Sequence, residues 1–237
     1  MKPHRNVLHP RAAIAIIAGI AAVTLGVAGL NAESSAAQTS AAPRQAARVA
    51  GVPLFNGHDI TGWTVVLSDH AVDPRSVWSV AGGVLRLTGA PKGYLRTEQS
   101  YSNYRLHVEW RWPADAAPRS NSGVFVHVHG PDVIWPAGIE CQLASGNAGQ
   151  LVATDVDLPG APIINKKARA AKLAASSEKP HGEWNSYDIV CRGTSVDVTV
   201  NGVHQNHVDH ISVEEGHIGL QMEGYPIEFR NVWLQSL

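Results

Sequence analysis

Cysteine is close to absent: the 237-residue chain holds only Cys141 and Cys191. Neither belongs to a CxxC or CxxH spacing, which excludes the common cysteine-based zinc sites. Each sits on the apolar phase of a strand-like run, Cys141 with Ile139 and Leu143, Cys191 with Tyr187 and Ile189. An exported chain permits a disulfide between them; two buried core thiols account for the same pattern and are favoured. Excess positive charge is missing as well. With residues 1–36 set aside, 16 basic residues face 19 acidic ones, a net charge of −3. Nucleic acid and anionic membrane surfaces are therefore excluded as partners, because both need a basic footprint. Helical periodicity is confined to one helix-like stretch, 167–175.

What is present begins with an export pattern. Lys2, Arg5 and Arg11 precede an uncharged 19-residue run, Ala12 to Leu30, and small residues around Ser34-Ser-Ala36 suit a signal peptidase. The run is near the lower length limit for a membrane span, and its Ala and Gly content favours cleavage over anchoring. No Cys follows it, so no lipid anchor is expected. Residues 1–36 are read as a signal peptide, 37–51 as a flexible tether and 52–237 as one domain, long enough to bury its own core. The mature protein is expected in the periplasm or beyond, with no membrane contact other than the export signal.

The domain reads as all-β. Ten strand-like runs fall at 78–80, 84–88, 94–98, 104–112, 123–128, 138–143, 186–192, 195–200, 217–222 and 227–234, with turn residues between them. Asn201-Gly202 fits the tight turn of a hairpin over 196–205. Leu106, Val108, Trp110 and Trp112 share one face of their run, and Arg105, His107, Glu109 and Arg111 the other. Ten short two-faced strands predict two packed antiparallel sheets, a jelly-roll sandwich. Trp110 and Trp233 are expected in its core. The long irregular insertion 144–183 is expected to fold over a site, with Asn147, Asn165, Lys166 or Lys179 reaching into it.

Two runs carry the chemistry. In 121–129, Val124, Val126 and Val128 are expected on one face and Phe125, His127 and His129 on the other. In 135–143, Ile139, Cys141 and Leu143 share a face, leaving Glu140 and Gln142 together opposite. A carboxylate, an amide, two imidazoles and Trp135 beside them suit the floor of a polar ligand site, with Trp135 placed to stack on a sugar ring. His127 and His129, alternate on a strand, could chelate a transition metal. No third ligand is evident from spacing, so neither metal nor cofactor is expected.

Several segments resemble the 3-keto-disaccharide hydrolase domain family. They are Leu54-Phe-Asn-Gly-His-Asp-Ile-Thr-Gly-Trp63, Gly93-Tyr-Leu-Arg-Thr97, 104–110, Asn121-Ser-Gly-Val124 and Ile139-Glu-Cys-Gln142. Further on come Glu178-Lys-Pro-His-Gly-Glu-Trp-Asn185, Val200-Asn-Gly202, Gly219-Leu-Gln221 and Ile227-Glu-Phe-Arg-Asn-Val232. The resemblance covers nearly the whole mature chain. It implies a concanavalin A-like fold and activity, in exported bacterial proteins, on sugars oxidised at C3. Where many members carry a His near the end of the Gly-Leu-Gln strand, this chain has Met222-Glu223.

A ketone at C3 acidifies the proton on C2, so the glycosidic bond can leave by elimination. On that chemistry Glu140 is the expected base and Arg96 the group that polarises the carbonyl. His127 or Glu223 would deliver a proton, and Asn121, Gln142, Trp135 and Lys179 would bind the sugar. Arg96, Asn121, His127, Glu140, Gln142 and Glu223 are expected to converge on one face. A non-catalytic carbohydrate-binding module and a conventional two-carboxylate glycosidase are the alternatives. The second is weakened by the lack of the acidic motif, carboxylates at i, i+2 and i+4 or i+5, of jelly-roll glucanases.

Overall fold

Alternation of apolar and polar residues, repeated along short runs bounded by turns, leaves the chain one economical solution: two sheets that hide one face each against the other. The computed structural model describes residues 51–237. The export segment and all but the last residue of the tether lie outside the described residues. Sixteen strands succeed one another: β1 (Val52–Pro53), β2 (Trp63–Leu67), β3 (Trp78–Ala81), β4 (Val84–Leu87), β5 (Gly93–Thr97), β6 (Tyr104–Arg111), β7 (Gly123–His129) and β8 (Ala137–Gln142) come first. Then come β9 (Leu151–Thr154), β10 (Ile163–Ile164), β11 (Lys167–Ala170), β12 (Asn185–Arg192), β13 (Ser195–Val200), β14 (Val203–Val208), β15 (His217–Met222) and β16 (Ile227–Ser236). Among the described residues a single 3-10 turn, Pro74–Ser76, interrupts them.

Both sheets are antiparallel throughout, as expected for a jelly roll. The back sheet runs β14-β13-β12-β6-β16-β4-β3 with β1 on β16, and the site sheet runs β10-β11-β9-β8-β7-β15-β5-β2. Between them lie Leu106, Val108 and Trp110 of β6, Tyr187, Ile189 and Cys191 of β12, and Val124, Val126, Ile139 and Cys141 of the site sheet, all fully buried. The two cysteines are free thiols in this core. Burial raises the Cys141 thiol well above its ordinary range and pushes that of Cys191 up to about 12, so both are inert at neutral pH. Asn201 and Gly202 adopt φ of 49° and 79°, the left-handed pair that the tight hairpin needs.

Three expectations are corrected by the backbone. The 144–183 insertion is not irregular: it contributes β9, β10 and β11, which widen the site sheet by three strands. The stretch read as helix-like from Lys167 is β11, because the turn residues Asn165 and Lys166 take left-handed φ of 53° and 65° and fold it back on β10 as a hairpin. Trp233 is not in the core. Asn231 sits at φ 49° in a register shift of β16 against β6, which turns Trp233 to the outer face, where it stacks on His107 at 4.9 Å.

Candidate functional site

Register aligns the outer face of the site sheet in rows. Arg96, Gly219, Phe125, Glu140, Val152 and Arg169 form one row across β5, β15, β7, β8, β9 and β11; Tyr94, Gln221, Gly123 and Gln142 form the next. Two glycines in these rows make room for the side chains beside them. A Cβ on Gly123 would lie 2.7 Å from Glu140 Cγ and 3.2 Å from Gln221 Oε1, and one on Gly219 would lie 2.9 Å from the Phe125 ring.

Glu140 is the centre of this arrangement. It is only 6% exposed, and its Oε1 has no hydrogen-bond partner. Burial, reinforced by the nearby Glu223, pushes its carboxyl up to about 7, against the opposing pull of Lys167 and Arg169. Gln142 is oriented by its own backbone: Leu143 N and Ala144 N donate to Oε1 at 2.9 and 2.8 Å. That fixes the amide so that its N–H₂ end is left for a ligand. Gln221, in the neighbouring row, is buried with both amide atoms unpartnered. Asn121 Nδ2 donates to Glu223 Oε2 at 2.7 Å, and Lys92 Nζ lies 3.7 Å from Glu223 Oε1. Burial raises the Glu223 carboxyl too, opposed chiefly by Lys92.

Glu140 and Gln142 open onto a cavity of about 610 Å³, within the range of small-ligand sites; Gln221 lies buried behind it. Asn121, Trp135, Glu140, Gln142 and Glu223 all line it, together with Asn147 and Asn165 from the insertion. Two cations lie over the Trp135 ring, Lys167 Nζ 4.5 Å and Lys92 Nζ 5.6 Å from its centroid. Arg119, Lys167 and Arg169 also line the cavity and were not anticipated. Once 167–170 is a strand, Lys167 and Arg169 fall on one face; read as a helix, the same segment scatters them.

Three anticipated residues are not brought into this cavity. Arg96 shares the outer face with Glu140 but lies three strand spacings away, roughly 14 Å. Its guanidinium is engaged by Asp132, Nε to Oδ1 at 2.6 Å and Nη2 to Oδ2 at 2.8 Å, a bidentate clamp that ties the 130–136 loop to β5. His127 faces the opposite way. It sits at φ 55° in a bulge of β7, packed in the core with its ring centroid 6.1 Å from that of Tyr104, and neither ring nitrogen has a partner. Burial pushes it down to about 4, so it is neutral at working pH. The bulge also puts Val128 on the outer face with Phe125, Tyr94 and Val66, and leaves His129 exposed on its own. The imidazoles therefore cannot chelate as a pair. Lys179 is exposed and turned back on its own segment, its Nζ donating to Trp184 O at 2.8 Å.

The segment around Lys179 braces the rim instead. Glu178 accepts from Gly146 N at 3.0 Å and Ala148 N at 2.8 Å, while Trp184 is sandwiched between Arg111 and Arg230, 4.5 and 4.1 Å from its centroid. His181 Nε2 lies 3.0 Å from Ser145 Oγ on the cavity wall.

Two antiparallel sheets in a jelly roll, one of them carrying a polar cavity floored by a desolvated carboxylate, define the class. The chain belongs to the 3-keto-alpha-glucoside-1,2-lyase-like domain family, whose model matches residues 51–235. That membership makes it a carbohydrate-active domain of glycosyl hydrolase type. Among solved structures it is similar to a protein from Parabacteroides distasonis provisionally described as a glycosyl hydrolase. Identity there is 24%, over 78% of this chain and 98% of the other, with a TM-score of 0.57. It is also similar in fold to a Bacillus licheniformis β-glucanase (15% identity, 80% and 100% covered, TM-score 0.54). A carbohydrate-binding module from Bacillus subtilis has the same fold (12%, 74% and 96%, TM-score 0.54). Comparison with curated proteins finds no match.

Proposed function

We propose that the domain cleaves the glycosidic bond of glycosides oxidised at C3, by elimination followed by hydration. The observation that carries this reading is Glu140: a buried carboxyl raised to about 7 that lines a sugar-sized cavity. A base with that affinity for protons is matched to a C–H made acidic by a neighbouring ketone at neutral pH. Glu140 takes the C2 proton and the electron pair moves to the C3 oxygen as an enolate. The pair then returns to form the C1–C2 double bond as the C1–O bond breaks, and the departing oxygen is protonated. Water adding at C1, with a proton returned to C2, completes a net hydrolysis. Gln142, on the cavity wall, offers a neutral N–H donor to the enolate oxygen without ionising. Glu223, steadied by Asn121, stays anionic beside Glu140 and keeps its affinity for protons high, so the proton that Glu140 takes from C2 is the one passed to the leaving oxygen. Family membership supports the same route, since the family takes its name from a lyase of 3-keto-α-glucosides.

Incubating the protein with a 3-keto-disaccharide and with its unoxidised parent tests the reading. Cleavage of the keto form alone is expected. Retention without cleavage would indicate a binding module, and cleavage of both sugars would indicate Glu140 and Glu223 acting as a conventional carboxylate pair. We further propose export, from the basic start and apolar run of residues 1–30; amino-terminal sequencing of the protein released by osmotic shock should begin beyond residue 30.

A further inference from the structure

The charge of the cavity is at odds with the charge of the domain. Residues 51–237 hold 14 Lys and Arg against 19 Asp and Glu, yet three of those cations, Arg119, Lys167 and Arg169, line this one cavity. Among the described residues none of the three has a carboxylate oxygen within 4.0 Å. The two carboxylates in the cavity act on Lys167 and Arg169 only from beyond pairing distance: Glu223 is engaged by Asn121 and Lys92, and Oε1 of Glu140 is buried without a partner. Arg169 presents a buried Nε with nothing to donate to.

The positions are as telling as the number. Lys167 and Arg169 alternate on β11, so both point from the same face, roughly 7 Å apart along the strand. They form the wall opposite Glu223, with Glu140 between. Arg169 is two strand spacings from Glu140 in its row, roughly 10 Å, whereas the C3 oxygen of a sugar whose C2 faces Glu140 lies within a ring's width of that carboxylate. One transient enolate near Glu140 therefore does not use up this wall.

Resting on the reading of this cavity as a glycoside site, we propose that the sugar unit lying against β11 carries an acidic substituent, the carboxylate of a uronic acid or a sulfate or phosphate ester. Lys167 supplies a point charge and Arg169 a planar fork that matches two oxygens of such a group. Trp135, over which Lys167 lies at 4.5 Å, gives the same unit an apolar face to rest on.

Titration calorimetry of the full protein at low salt, with glucuronic acid, glucose 6-sulfate, glucose 6-phosphate, glucose and inorganic sulfate, tests this. At least one acidic sugar should bind about tenfold or more tightly than glucose, and the preference should shrink as salt is raised. In K167Q/R169Q the ratio of acidic to neutral affinity should fall towards one, and K167R should keep it; thermal unfolding verifies that each variant is folded. Which acidic sugar wins names the substituent. Equal affinity for glucose and every acidic sugar, a preference kept in K167Q/R169Q, or inorganic sulfate binding as tightly as the best sugar would each overturn the proposal. Failure here is distinct from failure of the keto-glycoside reading. Cleavage of neutral 3-keto-disaccharides with no acidic preference sinks this inference alone, while tight binding of acidic sugars without keto-dependent cleavage sinks the other.

Discussion

At the scale of single residues, Glu140 is defined as much by its surroundings as by its own carboxyl. Gly123 supplies the space, while burial in the sheet and the like charge of Glu223 raise the cost of ionisation. Glu140→Gln keeps the shape and removes the proton acceptor, so turnover should fall about 10²–10⁴-fold. Binding of an unreactive sugar should change far less. Equal loss of both would make Glu140 a positioning group. In the wild-type protein kcat/KM should rise with pH to a plateau above about 7, where Glu140 is ionised; a flat profile from pH 5 to 8 would remove it as the base. Gly123→Ala tests the cradle. Its new methyl would sit 2.7 Å from Glu140 Cγ, so the carboxylate must move. Displacement on the order of 1 Å can cost about 10²-fold in rate, with a stability loss of only about 1–3 kcal/mol.

At the scale of elements, strand periodicity made most of the sandwich legible, and the pairing of Glu140 with Gln142 on an outer face came from the same period of two. Where that reasoning failed, single residues with left-handed φ had broken the period. His127 and Asn231 insert bulges that exchange the faces of the residues after them, and no turn residue beside His127 signals the change. β11 was hidden for a different reason. Its Lys and Ala favour helix locally, and Asn165-Lys166 lacks the glycine that marks most tight hairpins. Arg96 was placed on the correct face, but its partner Asp132 lies 36 residues away in a loop, beyond the reach of any local pattern. The clamp implies a positioning role, since Asp132 is three residues from Trp135. Asp132→Ala should raise KM about three- to tenfold and leave kcat within about twofold, because a neutral loop end loosens the stacking wall without touching the reacting atoms. The charge-swapped pair Arg96→Asp with Asp132→Arg should recover part of the loss. A fall of about 10² or more in kcat for Asp132→Ala would return Arg96 to the chemistry.

At the scale of the whole molecule, two buried ionisable groups on neighbouring strands oppose each other in pH. The carboxyl of Glu140 is raised from an ordinary 4.5 to about 7. Unfolding lets it ionise between those values, so its burial costs nothing below pH 4.5 and costs most above 7. His127 is lowered from 6.5 to about 4. Unfolding lets it protonate, so its cost is nil above 6.5 and greatest below 4. Each shift is worth on the order of 3 kcal/mol when fully expressed. The two costs exchange across nearly the same window, and their sum changes little between pH 4 and 7. Removing either group should unmask the other. In Glu140→Gln, stability relative to wild type should be unchanged near pH 4 and rise with pH to a gain approaching 3 kcal/mol at pH 7.5. In His127→Asn, which tolerates the left-handed φ and does not titrate, the lost packing shifts the curve uniformly. Stability relative to wild type should then fall as pH rises from 4 to 6.5. The double variant should run parallel to wild type. Urea denaturation of the four proteins across this range reads the slopes directly, and any background from other groups is common to all four. If Glu140→Gln and wild type keep a constant difference from pH 4 to 7.5, the carboxyl is not held above its ordinary range, and the case for Glu140 as a base poised at neutrality falls with it.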